Sequence, residues 1–437
     1  MKRRSRREDR FVLVLVLSFL SGCSALIHQM VWIRRMVDTL GATADTFAAV
    51  TGAFFIGLAV GGWLSTRLRI SGGSFYLAWI AHAELAVGGL ALLVLFSPHL
   101  APLLSAAPAP SGMVRLLVPM LLVAPPAVFM GLVTPWLIRA CMDCERPVAV
   151  PIYALNTVGG IFGIVVCLML LLPAVGTIFA GGVAVLLNLL VAGLAWMARG
   201  KSVPGRPAPM DGPRWGIAPV DALIAFGSGF LVLAAEVILQ LQLTQITVNS
   251  YFSSGFVLIL VLAGLGAGAF LSGLWLRIFG QRMAPALVGS LFVAGLGFAI
   301  QPLLFTVSFG GLKYQPYQIG AAPYFLQILG PGFLSIVLPF LLAGLTFPLL
   351  LRRLEVLRDA SVGLALACNG LGGWLGAEFA QGVFLPRLGL WGAVCFLGAG
   401  YAGLCAFFGT TWKRYVPAAA GVVFSAGAWL AFSGLPQ

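Results

Sequence analysis

The feature that most constrains the fold is a succession of apolar segments, each long enough to cross a lipid bilayer. A spanning helix needs about 20 predominantly apolar residues, and only 9% of the residues here are charged, against about 25% in soluble domains. The sequence therefore predicts an all-α polytopic membrane protein with thirteen spans. These are 11–33, 44–66, 75–96, 116–138, 149–172, 176–197, 218–245, 250–276, 284–308, 325–351, 361–385, 390–409 and 415–433.

The basic residues favour one side of the membrane. With a cytoplasmic N-terminus, 21 of the 26 Lys and Arg residues fall in cytoplasmic segments, as the positive-inside rule requires. We therefore expect a multi-pass membrane protein with its N-terminus in the cytoplasm. The net charge of +13 is spread over short loops rather than gathered in a patch, so a nucleic-acid partner is not expected.

The two halves of the chain resemble each other. With an offset of 207 residues Gly57 and Gly61 fall on Gly264 and Gly268. With an offset of 213 residues the coincident pairs include Gly131 and Gly344, Asn156 and Asn369, Gly159 and Gly372, Gly163 and Gly376, Pro173 and Pro386, and Gly176 and Gly389. Six spans per copy give both copies the same orientation, as in major-facilitator transporters. The predicted organisation is an N-terminal repeat at 1–197, a linker at 198–217, a C-terminal repeat at 218–409 and an accessory helix at 410–437.

Small residues four positions apart predict the helix contacts. Gly159 and Gly163 have this spacing, as do Gly372 and Gly376, and it lets two backbones approach closely in lipid. Asn156 lies on the same helix face as the first pair and Asn369 on that of the second. Two interpretations remain open: each Asn bonds across a helix contact, which we favour, or the two line a central cavity.

Ionisable side chains at membrane depth are candidate functional residues, because each costs about 2.5–3.5 kcal/mol to insert. Span seven carries Glu236, Gln240 and Thr244 at intervals of four residues, which places them on one helix face. Ser21, Ser24 and His28 form a second polar stripe in span one. The candidate solute-binding residues are Glu236, Gln240, Gln29, His28, Asn156, Asn369, Glu84 and Glu378.

This combination of carboxylates, amides and histidine suits a cation or a proton. Alternatively, Glu84 forms a structural ion pair with Arg34 or Arg35, and His28 and His82 are packing residues. No metal site is expected, because Cys141 and Cys144 form a single CxxC with no second pair. No cofactor is expected either, since the acids and glycines lack any nucleotide-binding or hydrolase context, and we predict that the chain is not an enzyme.

Three stretches resemble one protein family. Residues 21–34 (SGCSALIHQMVWIR), GLVTPWLIR from Gly131 and YALNTVGGIFG from Tyr153 are similar to the membrane region of bacterial spermidine synthase-like proteins, in which a major-facilitator-like domain is fused to an aminopropyltransferase. The resemblance reaches about residue 409. It implies a polyamine-associated membrane domain that lies in the bacterial inner (cytoplasmic) membrane. The chain departs from the family in two ways: His28-Gln29 replaces the usual Tyr-Glu pair, and no soluble synthase domain follows.

The sequence as a whole favours a transporter-like protein that moves a small cationic solute such as a polyamine, with a proton as the candidate coupling ion. Glu236 would bind the ammonium group in a cavity between the two six-helix halves. The alternative is a membrane scaffold that does not transport and instead recruits a separate soluble aminopropyltransferase or an envelope assembly. Apart from the lipid bilayer, the expected partners are therefore the solute or one such protein.

Overall fold

The computed structural model describes residues 2–41, 44–68, 73–100, 112–141, 148–199, 217–247, 251–316, 321–357, 359–407 and 415–432. The regular structure in these ranges is entirely helical. Helices satisfy every backbone N–H and C=O within one segment, which is the requirement that a lipid environment imposes.

Seven helices form the first repeat, and a short 3-10 helix, Ser97–Leu100, follows the third of them. They are α1 (Lys2–Leu40), α2 (Ala44–Arg67), α3 (Gly73–Leu95), α4 (Gly112–Leu122), α5 (Ala124–Ala140), α6 (Ala149–Val166) and α7 (Leu172–Ala198). Helices α4 and α5 together make one broken span, bent by 46°. A π-helical turn, Cys167–Leu171, joins α6 to α7.

The second repeat follows the same order. Its helices are α8 (Pro219–Ile246), α9 (Tyr251–Ile278), α10 (Met283–Ser308), α11 (Ala321–Gly332), α12 (Leu338–Gly344), α13 (Thr346–Leu357), α14 (Asp359–Phe379) and α15 (Leu385–Cys405). Two π-helical turns, Phe333–Val337 and Ala380–Phe384, join α11 to α12 and α14 to α15. The accessory helix is α16 (Tyr415–Phe432).

Twelve of the thirteen predicted spans are found once two long helical runs are divided. Among the described residues, nine helical runs are long and apolar enough to cross a membrane, and the bent pair makes ten. Two of these runs, Ala149–Ala198 and Val362–Cys405, contain 50 and 44 residues. At 1.5 Å per residue each is about twice the 30 Å thickness of the hydrocarbon core. Each run therefore supplies two spans, which gives twelve, and the predicted thirteenth span corresponds to the shorter apolar helix α16.

Helical turns, rather than loops, connect the two spans of each long run. Because Pro173 has no N–H, it cannot donate the helical hydrogen bond to the carbonyl four residues earlier. The N–H of the preceding residue, Leu172, donates to the carbonyl of Cys167, five residues earlier, as in a π-helix. Gly176 then adopts φ 75° and ψ 178°, a conformation open mainly to glycine, and reverses the chain. Gly389 repeats this conformation at φ 66° and ψ 178°.

The glycine pairs lie where two helix backbones touch. A Cβ atom at any of them would collide with a carbonyl oxygen of the facing helix, so only glycine fits. The contacts between α1 and α6 recur between α8 and α14: Gly159 with Phe19, Gly163 with Cys23, Gly372 with Phe226 and Gly376 with Phe230. Those between α2 and α5 recur between α9 and the α11–α12 region: Gly57 with Ala124, Gly61 with Val128, Gly264 with Val337 and Gly268 with Leu341. Both sequence offsets therefore relate residues that occupy equivalent positions in the two repeats of the structure.

Replacing Gly159 by alanine is expected to lower the thermal stability of the purified protein. The new methyl group must displace α6 from α1, and overpacking of this kind costs roughly 1–3 kcal/mol. Gly193→Ala is the matched control, because Gly193 is exposed on α7 with no atom within 4 Å of an added Cβ. Thermal unfolding in detergent should show a lower midpoint for G159A than for G193A. Equal midpoints would contradict the close contact.

The chain divides into two compact units. The first comprises Met1–Ala218 and Leu354–Leu371, and the second comprises Pro219–Arg353 and Gly372–Gln437. Residues 354–371 thus belong with the first unit, although the sequence boundary assigned them to the C-terminal repeat. Inside the first unit, the Glu355 carboxylate accepts hydrogen bonds from the backbone N–H groups of Val148 (2.6 Å) and Ala149 (3.1 Å). Most of the predicted linker, 198–217, and residues 410–414 lie outside the described ranges.

Candidate functional site

A buried carboxylate lies among three helices of the first repeat. Glu84 on α3 is 1% exposed. Its Oε1 accepts a hydrogen bond from the Ser21 hydroxyl on α1 at 2.6 Å, and its Oε2 accepts one from the Asn188 amide on α7, also at 2.6 Å. Both carboxylate oxygens are therefore satisfied, and by neutral donors.

The Asn188 amide extends this arrangement to a histidine. Its oxygen lies 2.8 Å from Nε2 of His28 and 2.9 Å from the Ser24 hydroxyl oxygen. Because an amide oxygen only accepts, Nε2 of His28 must carry a proton. The imidazole also stacks on Trp32, with ring centroids 5.2 Å apart. We call the set Ser21, Ser24, His28, Glu84 and Asn188 the Glu84 network.

Local sequence explains how these side chains meet. Ser21, Ser24 and His28 are three and four residues apart and share one face of α1, as the predicted polar stripe requires. On α3, Gly88 lies one turn beyond Glu84 and faces α7 at van der Waals distance. A Cβ at Gly88 would be 3.6 Å from the Cβ of Asn188. The Asn188 amide is thereby held within reach of Glu84.

The structural ion pair considered for Glu84 does not form. Arg34 and Arg35 instead pair with Asp38 on their own helix, each at 3.6 Å. Among the described residues, no basic side chain forms an ion pair with Glu84. His28, which is two hydrogen bonds away through Asn188, is the titratable group linked to it.

The second repeat builds the same helix packing without the polar network. At the positions that correspond to His28, Glu84 and Asn188 it has Ala235, Leu291 and Tyr401. The register is fixed by Gly295, where an added Cβ would lie 3.5 Å from the Cβ of Tyr401, just as Gly88 meets Asn188. The Tyr401 ring stacks on Phe298, with centroids 5.6 Å apart. The network is thus particular to the first repeat.

A different arrangement surrounds Glu236 on α8. Glu236, Gln240 and Thr244 are half-buried, and so is Val232 one turn before them, whereas most of the helix is buried. The Thr244 hydroxyl donates to the carbonyl of Leu241 at 2.9 Å. Within the described part of the chain, the Glu236 carboxylate forms no hydrogen bond or ion pair. This carboxylate is therefore available to a ligand.

The remaining predicted residues lie elsewhere. Gln29 is 3% exposed beside His28. Asn156 donates from its amide nitrogen to the carbonyl of Ser18 at 3.2 Å, which is the bond across a helix contact that the sequence favoured. Asn369 and Glu378 are half-buried on α14. Of the eight candidates, the structure links Glu84 with His28, whereas Glu236, Gln240 and Glu378 belong to the second compact unit.

Sequence reasoning missed three buried amide residues. Asn188 is the only amide residue in the predicted span 176–197, and that isolation is the signal that could have identified it. In the second unit, Gln301 donates to the Gln242 side-chain oxygen at 3.0 Å. The other polar atom of each of these two side chains has no partner among the described residues.

Comparisons with known proteins identify the fold. No family model matches the chain, and no curated protein matches its sequence. Similar solved structures include a POT family transporter in complex with a thioalcohol-conjugated peptide, at 13% identity over 97% of this chain and 96% of that chain with a TM-score of 0.54. A bacterial homologue of the iron transporter ferroportin, in an outward-facing state, is 14% identical over 97% and 99%, with a TM-score of 0.52. The POT family transporter PepTSo is 12% identical over 97% of each chain, with a TM-score of 0.50. At these identities the likeness shows the fold alone: the chain is a multi-pass membrane protein with the helical fold of these transporters.

Proposed function

We propose that the protein is a transporter that carries a small cationic solute across the bacterial inner membrane, with its N-terminus in the cytoplasm. The observation that carries this proposal is the unpaired Glu236 carboxylate. It lies seventeen residues into a 28-residue apolar helix, about 25 Å from the first residue at 1.5 Å per residue. A carboxylate at that depth almost always faces water or a ligand rather than lipid. Binding a cation would compensate its charge.

The side chains around Glu236 suit an ammonium group. Gln240 and Thr244 continue the same half-buried helix face toward the C-terminus of α8, with successive positions about 5–6 Å apart. Amide and hydroxyl oxygens accept hydrogen bonds from N–H donors. A chain of several amines would place one ammonium group on Glu236 and further N–H groups along this face.

The class of solute rests on the family resemblance of the sequence. A membrane domain akin to that of spermidine synthase-like proteins favours a polyamine. The proposal includes no catalytic role and no cofactor, because it needs only binding and alternating exposure of one site to the two sides of the membrane. The fold supports transport, since the similar solved structures named above are transporters.

Transport is tested by reconstituting the full chain in liposomes and measuring uptake of radiolabelled spermidine and putrescine, with and without a pH gradient. We expect saturable uptake that unlabelled polyamine inhibits and that neutral sugars do not affect. An absence of both uptake and binding would overturn the proposal. If the protein instead co-purified with a soluble synthase in a fixed ratio and moved no solute, the scaffold alternative would replace it.

A further inference from the structure

We propose that the Glu84 network is a proton-binding site, in which Glu84 takes up and releases one proton within the first repeat. The sequence grouped Glu84 and His28 with the solute-binding residues, and this proposal gives them a different ligand. Its coupling to solute movement rests on the proposed function, whereas the protonation of Glu84 does not.

Packing does not explain why the first repeat contains a buried carboxylate. The second repeat brings the same three helices together with Leu291 and Tyr401 in place of Glu84 and Asn188. At the shared glycine the helices approach at least as closely: the facing backbone carbonyl lies 2.9 Å from an added Cβ in the second repeat and 4.0 Å from one in the first. An intramembrane carboxylate is costly to insert. If the charge had no function, an uncharged pair of side chains such as that of the second repeat would therefore be favoured here as well. The polar version therefore has a use beyond holding helices together.

The enclosure of Glu84 selects a proton over a larger ligand. Glu84, Asn188 and His28 are 1%, 2% and 1% exposed, and hydrogen bonds of 2.6–2.8 Å join them directly. Side chains at these distances leave no space for a solute between them, whereas a proton can bind without additional space. The described residues also contain no group of three His, Cys, Asp or Glu side chains that could hold a metal ion.

Both charge states of Glu84 can be satisfied without moving heavy atoms. When Glu84 is ionised, the Ser21 hydroxyl donates to Oε1 and the Asn188 amide donates to Oε2. When Oε1 is protonated, it donates to Ser21, whose hydroxyl rotates to act as acceptor. The proton comes from water and returns to it, and the carboxylate becomes a neutral acid. His28 is linked to the ionised state only through the N–H that it donates to Asn188.

Within the described ranges, no charged side chain other than Glu84 joins the network, and His28 is its other titratable group. On α3 itself, His82 is exposed and bonds to the carbonyl of Ala78. Most other described charged or titratable groups on the elements packed against α3 lie toward helix ends: Glu8, Asp9, Arg10, Arg34, Arg35, Asp38, His99, Arg115, Arg139 and Arg199. Arg139 binds the Ser65 carbonyl and Arg199 lies over the Trp196 ring. The protonation of Glu84 thus depends chiefly on Ser21, Asn188 and His28.

Infrared difference spectroscopy of the reconstituted full chain tests protonation directly. Between about pH 4 and about pH 9, a range that spans carboxyl and imidazole titration, wild type should show a protonated-carboxyl stretch that Glu84→Gln lacks. Glu236→Gln should retain this band even though it is expected to lose uptake, so the result does not depend on transport. Identical wild-type and E84Q spectra would overturn the proposal. If E84Q fails to fold, the double variant Glu84→Leu/Asn188→Leu, which removes the carboxylate together with the amide that binds it, takes its place.

Coupling is tested in the same liposomes. E84Q should retain exchange of external labelled polyamine for internal unlabelled polyamine. Its accumulation of polyamine driven by a pH gradient should be at least tenfold lower than that of wild type. If E84Q accumulates polyamine as wild type does, or if it loses exchange as well, the coupling role is overturned. The infrared result still decides protonation in either case.

Discussion

Replacing Glu236 by glutamine is expected to reduce polyamine uptake in liposomes by tenfold or more. Hydrogen bonds to a charged group contribute about 1.5–3 kcal/mol, and each 1.4 kcal/mol is a factor of ten in binding. Glutamine has nearly the same size as glutamate and removes only the charge. Because Glu236 has no partner among the described side chains, the variant should unfold at a temperature no lower than wild type. Initial uptake rates and thermal unfolding midpoints measure the two effects.

Two further variants make this result specific. Glu236→Asp keeps the charge and should retain part of the uptake. Glu8→Gln makes the same chemical change at an exposed position near the start of α1 and should transport as wild type does. Wild-type uptake by E236Q would remove Glu236 from the binding site. Transport by the unaltered protein would then still support a transporter, with its cation site elsewhere.

The fold was predictable because close helix packing in lipid requires small residues at fixed spacings, and these spacings are visible in the sequence. Gly159 and Gly163 each face a backbone carbonyl, and no larger residue fits there. The same requirement at Gly372 and Gly376 reproduces the spacing 213 residues later. The turn at Gly176 was predicted only as a gap between spans. Its helical form depends on the backbone hydrogen bond from the Leu172 N–H to the Cys167 carbonyl. The hydropathy of the sequence does not predict such a bond.

The candidate site was only partly predictable, because it depends on which helices touch. The stripe of Ser21, Ser24 and His28 has helical spacing, and Glu84 is conspicuous by its charge. Asn188 has neither signal, since it is one polar residue in an apolar helix. Its role arises from the approach of α7 to α3 at Gly88. The offset of 213 pairs Asn188 with Tyr401, so a search for shared polar positions between repeats would not have found it.

Replacing Asn188 by leucine is expected to destabilise the protein more than any other single change in the network. The substitution leaves an oxygen of Glu84 and Nε2 of His28 buried without partners. An unsatisfied buried polar group costs about 1–3 kcal/mol, and a charged one costs more. Thermal unfolding in detergent should therefore show a large loss for N188L. Asn156→Leu is the matched control, because it removes the hydrogen bond of a half-buried side chain to the Ser18 carbonyl and should cost about 1 kcal/mol.

The double variant Glu84→Leu/Asn188→Leu is expected to be more stable than N188L alone. It removes the stranded carboxylate together with its partner, and replacing both partners by apolar groups of similar shape can be nearly neutral. The cost that remains is the one at Nε2 of His28, which loses Asn188 in both variants. Ser21 can then bond within its own helix, as Ser228 does with the carbonyl of Ala225 at 3.0 Å, and Ser24 still reaches the carbonyl of Ala184 at 3.1 Å. A double variant that lost the sum of the two single losses would contradict this coupling. Recovery of stability with loss of the titrating band would separate the packing of these helices from the chemistry of Glu84.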